Sequence, residues 1–300
     1  MNEANFIAAL RGLATHPAAR GLNDDCAVLE LGSETLILTH DAMAEGVHFL
    51  PGQDPADVAW KLVAANMSDL ASKGAEPLGI LLGYMFGRDD RRFLAGLEEA
   101  LAAFKVPLLG GDTISGAASG RGSDGCGQVL GLTAIGRASY TPVPARSGAR
   151  AGDGLYLTGP VGGAMMGFET LLAGADGDST AYRRPHAHLQ EGQMLAPHVS
   201  AMMDVSDGLL LDTWRMAQAS HVTIAIDSHA VPIAAPEDRR EDALRWGDDY
   251  QLLFTASAET DLPVNVYRVG EVLARDAAPL VLDGAPIAQP DGLGYQHKSQ

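Results

Sequence analysis

Short apolar runs alternate with amphipathic stretches along this chain, which predicts strands that alternate with helices. The clearest helix is Asp90–Phe104, whose apolar residues recur at helical spacing. A second helix begins at Asp54-Pro55, runs to about Ser72 and ends at Gly74. The other predicted helices are Asn2–Ala14, Gly208–Ala219 and one that opens after Gly163. The predicted strands are Ala27–Leu31, Thr35–Thr39, Pro77–Gly87, Val106–Leu109, Gln128–Arg137, Leu155–Thr158, Ala201–Val205, Val222–Ile226 and Gln251–Thr255.

Strands and helices alternate in both halves of the chain, which predicts two α/β (α+β) domains. The stretch from Tyr140 to Asp153 is rich in Pro, Gly and Arg and predicts the boundary between them. We therefore expect an N-terminal domain over residues 1–140 and a C-terminal domain over residues 150–300. Within the first domain, the Gly/Ser-rich stretch Gly116–Gly127 predicts a mobile loop.

The composition predicts a globular protein with a sizeable core and an acidic surface. Of the 300 residues, 46% are hydrophobic and 20% are charged, an ordinary globular mix. The formal charge of −17 repels phosphate backbones, which argues against nucleic-acid and anionic-membrane partners. A phosphorylated ligand of this protein would need cations to bridge it to the surface.

Cysteine usage predicts a reducing compartment. Cys26 and Cys126 are the only cysteines and form no CxxC pair, which argues against a zinc ribbon or a disulfide framework. The first residues show no basic region followed by an apolar core, so no signal peptide is expected. The longest apolar runs, Leu78–Phe86 and Val129–Ile135, are far too short to span a bilayer. We expect a soluble, cytoplasmic protein.

Aspartates at the ends of the predicted strands carry the candidate chemistry. An Asp beside Gly is usually a turn or helix-cap residue, so any single cluster is weak. Six clusters at strand ends are stronger, because α/β folds place their sites in these loops. The clusters are Asn23-Asp24-Asp25, Thr39-His40-Asp41, Met67-Ser68-Asp69, Gly110-Gly111-Asp112-Thr113, Asp204-Val205-Ser206-Asp207-Gly208 and Gly247-Asp248-Asp249-Tyr250.

Converging aspartates repel one another and therefore require cations. Carboxylate oxygens without clustered thiols or imidazoles select a hard ion, and Mg²⁺ usually binds one or two carboxylates together with phosphate oxygens. More aspartates than one ion needs indicate several Mg²⁺ ions held between the protein and a polyphosphate. The pattern favours phosphoryl transfer, in which metal ions supply the positive charge.

The sequence gives less support to a phosphate-binding loop, a histidine metal site or a covalent nucleophile. No GxxxxGK[ST] loop is present, and Gly159–Gly163 has the wrong spacing for a dinucleotide-binding turn, so a plain helix N-terminus is favoured there. His186 and His188 would point apart on a helix, which favours a surface role over a metal site. Cys26 follows two acids that disfavour its thiolate, and no GxSxG elbow exists. We expect no covalent nucleophile and no general base.

Taken in order, the clusters make this chain similar to the thiamine-monophosphate kinase family, within the aminoimidazole ribonucleotide synthetase superfamily. The resemblance covers nearly the whole chain, and EGVHF together with SDLA and GGDT is specific to this kinase family. The segments that carry it are Asn23–Ala27, Thr39–Asp41, Glu45–Phe49, Lys61–Gly74, Gly110–Thr113, Ala145–Gly148, Asp204–Leu209 and Gly247–Tyr250.

The resemblance implies a two-domain fold of the aminoimidazole ribonucleotide synthetase type. The N-terminal domain would form a β-barrel with its copy in a homodimer, and the C-terminal α/β domain would close the active site. The implied reaction is ATP-dependent phosphorylation of thiamine monophosphate to thiamine diphosphate with Mg²⁺. The implied metal ligands are Asp25, Thr39, His40, Asp41, Asp69, Asp112, Asp204 and Asp207. The implied ATP-binding residues are Gly111, Asp112, Arg146 and Ser206, and those for thiamine monophosphate are His48, Asp248 and Tyr295.

Three positions depart from the family pattern. Asn23 stands where Gly is usual, although Asn tolerates a positive φ. His40 replaces Thr or Ser, which matters only if that position lends a metal its hydroxyl rather than its backbone carbonyl. Asp248 replaces Glu and is one methylene shorter, and the chain before it is a few residues shorter than usual. These departures affect the substrate end more than the nucleotide end.

Rival interpretations stay open at this point. A ring-closing synthetase of the same superfamily would also use ATP, but the EGVHF segment counts against it. The selenophosphate and hydrogenase-maturation members rely on a reactive cysteine, and neither cysteine here lies in a suitable motif. A catalytically silent protein that binds nucleotide or Mg²⁺ would retain ATP binding without turnover. Retention of all the candidate metal aspartates argues against that interpretation.

Overall fold

The computed structural model describes residues 3–115 and 127–296 of the chain. Most of the Gly/Ser-rich stretch, with Cys126, lies outside these ranges. The helices are α1 (Glu3–Arg11), α2 (Pro55–Ser72), α3 (Asp90–Phe104), α4 (Gly163–Leu172), α5 (Thr180–Arg183), α6 (Leu189–Leu195), α7 (Leu209–Ser220) and α8 (Arg240–Arg245). The strands are β1 (Ala27–Leu31), β2 (Glu34–Ala44), β3 (Ala75–Met85), β4 (Leu108–Ile114), β5 (Val129–Ala138), β6 (Asp153–Leu157), β7 (Ala201–Asp204), β8 (Thr223–Ile226), β9 (Leu252–Ser257), β10 (Tyr267–Leu273), β11 (Leu280–Leu282) and β12 (Ala285–Ile287).

The first sheet has five strands in the order β1-β2-β5-β3-β4. Neighbouring strands run antiparallel, except that β3 and β4 are parallel. Helix α2 lies against the inner face of this sheet, and α3 lies beside α2. Within a single chain the sheet is open, with β1 and β4 as its edges. The barrel that the resemblance implies therefore needs a second copy to complete it.

The edge of the first sheet at β4 exposes large apolar side chains. Five of them, on β3, β4 and β5, are each between 40% and 56% exposed: Leu81, Leu108, Leu109, Ile114 and Val129. Every residue of β4 is exposed. An edge strand with an apolar surface of this kind is a typical site of association with another chain.

The second sheet has seven strands in the order β12-β11-β8-β10-β6-β9-β7. Its pairs are antiparallel except β8 with β11. Helix α7 packs on β7, β8 and β11 and encloses a separate apolar core. In the described ranges, no helix combines the length and the apolar character needed to cross a lipid bilayer.

Helix α2 lies between the two halves and is buried on nearly all sides. Asp54 caps it by accepting the backbone N–H of Ala56 at 3.0 Å. One side contacts β2, β3 and β5, and the other contacts β7 and α6. Gly192 of α6 approaches so closely that a Cβ there would lie 2.0 Å from the carbonyl oxygen of Ala71. A charged side chain on such a helix must find its partner inside the protein.

Two strands differ from the predicted spans in a way that matters for the site. Strand β2 continues to Ala44, and β4 occupies Leu108–Ile114, so Asp41 and Asp112 lie within strands rather than in breaks after them. Pairing with β5 and with β3 continues through these positions and overrides their turn-forming residues. Strands β10, β11 and β12 were not predicted.

Candidate active site

A cavity of 710 Å³ opens between the two sheets, and most of the predicted site residues line it. Its walls come from β2, α2 and the loops that follow β7 and precede β9. The predicted residues that line it are Asp41, His48, Asp69, Asp204, Ser206, Asp207, Asp248 and Tyr295. Residues from both halves of the chain therefore meet at one place.

Three aspartates form one end of the cavity: Asp204 on β7 is buried, and Asp41 on β2 and Asp69 on α2 are partly buried. Burial, with a smaller contribution from neighbouring aspartates, raises the pKa of Asp41 to about 6 and that of Asp204 to about 7. Burial and the charges of the other two raise the pKa of Asp69 well above its usual range. Thr39 donates a hydrogen bond to Asp69, and Ser68 donates one to Asp204 at 2.6 Å. These carboxylates resist ionising together unless a cation joins them.

Asp25 lies behind this cluster and is held by two cations. Lys73 Nζ is 2.6 Å from Asp25 and 2.6 Å from Asp24, and Arg146 forms a further ion pair with Asp25. Burial works to raise the pKa of Asp25, but the charges of Arg146 and Lys73 outweigh it and hold that pKa well below its usual range. Asp25 is therefore ionised and fixed in place before any ligand arrives.

The turn after β7 is shaped by a carboxylate that does not line the cavity. Asp212 Oδ2 accepts the backbone N–H groups of Ser206 at 3.1 Å, Asp207 at 3.0 Å and Gly208 at 3.2 Å. Gly208 has φ of +122°, and a Cβ there would lie 2.5 Å from the carbonyl oxygen of Arg245, so only glycine fits. The turn thus presents Ser206 and Asp207 to the cavity.

A buried lysine organises the other end of the cavity. Lys61 Nζ donates to Asp248 Oδ2 at 2.7 Å and to the carbonyl oxygen of His48 at 3.0 Å, and it lies 3.8 Å from the ring centre of Tyr182. The Tyr250 hydroxyl donates to Asp248 Oδ1 at 3.0 Å. Two of the predicted substrate-binding residues are therefore tied to α2 by one ammonium group.

Aromatic rings complete this end of the cavity. The ring centre of Phe168 lies 5.3 Å from that of Tyr182 and 5.2 Å from that of Trp246, and all three residues line the cavity. Tyr295 lines it as well. The cavity thus has an acidic, oxygen-rich end and an aromatic end.

Arg146 and His40 lie outside this cavity. Arg146 faces a neighbouring cavity of 450 Å³, which also has Arg11, Arg20 and Arg215 in its wall. His40 is exposed, and its Nδ1 lies 2.9 Å from Thr133 Oγ1 on β5. Because side chains alternate along a strand, the His40 ring points away from the face that carries Thr39 and Asp41. Only the backbone of His40 faces the cluster.

Gly111 and Asp112 are also separated from the cluster. Asp41, Leu132, Leu82 and Gly111 form one row across the first sheet. Three strand-to-strand steps place Asp41 and Gly111 roughly 14 Å apart. Asp112 follows on the exposed edge strand, beside Gly83. Within one chain, Asp112 does not join the other aspartates.

Several residues that hold the predicted ones in place were assigned no role from the sequence: Lys61, Lys73, Phe168, Tyr182, Asp212 and Trp246. Asp249, from one of the predicted clusters, accepts the N–H of Gly162 at 2.6 Å and so serves the fold rather than the cavity. A signal existed for the lysines, since a lysine in or next to a largely apolar helix must be paired when that helix is buried. The aromatic residues carry no such signal, because their convergence depends on how the two halves meet.

Family models match both halves of the chain. The model for the N-terminal domain of AIR synthase related protein matches residues 23–138, and that for its C-terminal domain matches residues 150–280. The chain therefore belongs to the AIR synthase related family. The two-domain α/β fold expected from the sequence is confirmed.

Similarity to individual relatives shows to which group within this family the chain belongs. Thiamine-monophosphate kinase of Escherichia coli strain K12 is 33% identical over 92% of this chain and 91% of that protein. The kinase of the same name from Caulobacter vibrioides is 33% identical over 94% and 86%. The solved structure "AaThiL complexed with AMPPCP and TMP" has a TM-score of 0.86 at 27% identity and covers 99% of this chain and 97% of that one. The chain belongs to the thiamine-monophosphate kinase family, as its motifs predict.

The aspartate cluster should make the metal-free protein less stable as pH rises from about 3.8 to about 7. The unfolded chain ionises Asp204 with a pKa of 3.8, whereas the folded chain keeps it protonated up to about pH 7. The unfolded state therefore binds fewer protons in this window, so the free energy of unfolding decreases with pH. Urea unfolding at about pH 5 and about pH 8 with EDTA measures the decrease. Mg²⁺ should reduce this loss of stability between the two pH values. Equal free energies of unfolding at both pH values with EDTA would contradict the prediction.

Lys73→Met should destabilise the fold strongly. It leaves Asp24 and Asp25 buried without their shared ammonium group, which costs about 3–5 kcal/mol for a broken buried ion pair. Arg88→Met is the matched control, because the Arg88 side chain is 72% exposed and its pair with Glu45 contributes about 0–1 kcal/mol. Urea unfolding of both variants compares the losses, and equal losses would argue against a special role for Lys73.

Proposed function

We propose that this chain transfers the γ-phosphoryl group of ATP to the phosphate of thiamine monophosphate, giving ADP and thiamine diphosphate. The observation that carries the proposal is the convergence of aspartates from both halves of the chain on one cavity that also has an aromatic end. The relatives described above are named for this activity. The solved relative was determined with AMPPCP and TMP bound.

The cavity beside Arg146 supports binding of the nucleotide. Its wall contains four arginines in a protein whose net charge is −17, so it offers a favourable place for an anion. Arg146 and Arg215 form ion pairs with Asp25 and Asp207 of the cluster, which places this cavity next to the aspartates. Arg146 would contact ATP there, and Ser206 would contact it from the wall of the larger cavity.

The chemistry of the aspartate cluster fits Mg²⁺. Its donors are carboxylate and hydroxyl oxygens, which suit a hard cation, and its raised pKa values reflect unbalanced negative charge. The residues that would hold the ions are Asp25, Thr39, Asp41, Asp69, Asp204 and Asp207, and His40 could add only its backbone carbonyl. When bound, Mg²⁺ supplies the positive charge that lets one phosphate anion approach another.

The transfer needs positioning more than proton movement. An oxygen of the acceptor phosphate forms a bond to the γ-phosphorus as the bond from that phosphorus to the β–γ bridging oxygen breaks, and ADP keeps the electron pair. A phosphate monoester with a second pKa near 6 is largely dianionic at pH 7, so it needs no base. This agrees with the structure of the cavity, whose buried groups would orient the two substrates and exclude water.

The aromatic end suits the thiazolium part of thiamine monophosphate. A delocalised cation is attracted to the faces of Phe168, Trp246 and Tyr295, and Asp248 adds a carboxylate. Lys61 holds Asp248 and the His48 carbonyl in place, so it positions both substrate-binding residues. The shorter Asp248, where the family has Glu, thus keeps a fixed orientation.

We also propose the homodimer and the domain roles. Residues 1–140 would carry most of the metal ligands together with ATP and dimer contacts, and residues 150–300 would close the cavity and add Asp204 and Asp207. Because Gly111 and Asp112 lie roughly 14 Å across the sheet from Asp41, they would reach a phosphate only at the active site of the partner subunit. The apolar, exposed edge at β4 supports such a pairing. A cytoplasmic location stays a prediction from the sequence.

Release of ADP should require ATP, Mg²⁺ and thiamine monophosphate together, with thiamine diphosphate identified by mass. Asp69→Asn should lower turnover by about two or more orders of magnitude, because a ligand shared by the cluster is lost. Asp238→Asn, on the exposed surface, is the matched control. ATP binding without ADP release in the wild-type protein would instead indicate a silent family member. Unchanged turnover in Asp69→Asn would remove Asp69 from the site.

Mixing two inactive variants should restore activity if Asp112 acts in trans. In a heterodimer of Asp69→Asn and Asp112→Asn, one active site receives both substitutions and the other receives neither. Random exchange of subunits then returns about a quarter of the wild-type rate. Mixing Asp69→Asn with Asp41→Asn is the control, since both residues lie in the same chain's cluster and no site becomes complete. No recovery in the first mixture would contradict the trans arrangement.

A further inference from the structure

Two histidines in the segment between α5 and α6 lie side by side. His186 and His188 precede α6 in a non-helical segment, where residues two apart lie on the same side of the chain. Their ring centres are 4.9 Å apart. The expectation that they point apart assumed a helix, and it is wrong for this reason.

A carboxylate completes the group. Glu191 lies in the first turn of α6, three residues after His188. One ligand atom from each of His186, His188 and Glu191 lies within 4.8 Å of the others. Small side-chain rotations bring such atoms to the separation that a shared metal ion requires, since Zn–N and Zn–O bonds are about 2.0–2.2 Å long.

The hydrogen bonding of the His188 ring is the second observation that points to a ligand. The His188 side chain is 14% exposed. Among the residues of the described ranges, neither ring nitrogen makes a hydrogen bond of normal length, although the side chains of Glu191 and Gln251 lie close enough to act on the pKa of His188. The nearest carboxylate oxygen, on Glu191, is 3.6 Å from Nδ1, beyond good hydrogen-bond distance. Buried polar atoms are nearly always satisfied, so this ring calls for a ligand that accepts the lone pair of an imidazole nitrogen.

We propose that His186, His188 and Glu191 form a Zn²⁺ site. Two imidazole nitrogens and one carboxylate oxygen suit a borderline cation such as Zn²⁺ and discriminate against Mg²⁺, which prefers oxygen alone. The site is therefore chemically distinct from the aspartate cluster. A cavity of 490 Å³ beside His188 and Glu191 leaves room for water as a fourth ligand.

The position of the site indicates what the ion does. Pro185 accepts a hydrogen bond from the Trp60 indole of α2 at 3.1 Å, and Gly192 of α6 lies against Ala71 of α2. An ion held between these two contacts fixes the segment that joins them. Bound Zn²⁺ thus stabilises the junction between the two halves of the chain, without contact to the reacting groups.

Titration calorimetry with Zn²⁺ tests the site on the full chain in excess Mg²⁺, which occupies the aspartates. We expect one Zn²⁺ per chain and a Tm that rises with Zn²⁺, because the ion binds only the folded state. His186→Asn removes an exposed ligand with little risk to folding and should weaken Zn²⁺ binding by more than about tenfold. Glu191→Gln should weaken it as well.

His229→Asn is the matched control, since His229 is exposed and, among the described residues, belongs to no group of three ligand residues close enough to share an ion. It should leave Zn²⁺ affinity unchanged. No Zn²⁺ binding in the presence of Mg²⁺ would overturn the proposal, as would equal affinity in the wild-type protein and in His186→Asn. Neither result bears on phosphoryl transfer, because the assay measures binding of Zn²⁺ alone.

Discussion

The arrangement of the site depends on one ammonium group that water does not reach. Lys73 leaves the end of α2 and binds Asp24 and Asp25 from the loop before β1, together with the carbonyl oxygen of Met202 on β7 at 3.2 Å. Three segments from both halves of the chain thus share one charge. A buried cation of this kind costs desolvation energy and is retained only where its partners surround it. Its placement fixes where the remaining carboxylates lie.

Lysine and arginine side chains neutralise aspartates on the side away from the cavity. The carboxylates that face the cavity keep an unbalanced negative charge. Lys73, Arg146 and Arg215 each pair with an aspartate at the margin of the cluster. Asp69 and Asp204 accept hydroxyl hydrogen bonds, and in the described part of the chain no lysine or arginine forms an ion pair with Asp41, Asp69 or Asp204. The negative field is therefore directed into the cavity. At the opposite end, Lys61 has neutralised Asp248, so the two ends differ in charge as well as in shape.

Much of the site could be predicted from aspartates at strand ends, because that rule needs only local sequence. Asp204 and Asp207 follow this rule and line the cavity. Asp41 and Asp69 line it too, although they lie inside β2 and inside α2 rather than at a strand end. Asp112 lies inside the edge strand β4 and does not reach the cavity, since its distance depends on strand order, which the sequence pattern leaves open. Strands β11 and β12 are too short for a periodic signal. Asp283-Gly284 between them is nevertheless a two-residue hairpin turn with positive φ at both positions.

The three N–H groups that lead into α7 would ordinarily form a cradle for a phosphate group. Here the cradle is filled from within the chain, because Asp212 takes all three donors with one oxygen. At this turn, the Asp212 carboxylate occupies the position at which the phosphate oxygens of a nucleotide would otherwise bind. The backbone therefore contributes no anion-binding site at this turn, and any phosphate held there must be held by cations. The phosphate groups of a nucleotide are therefore left to cationic side chains such as Arg146 and Arg215 in the neighbouring cavity rather than to this backbone turn.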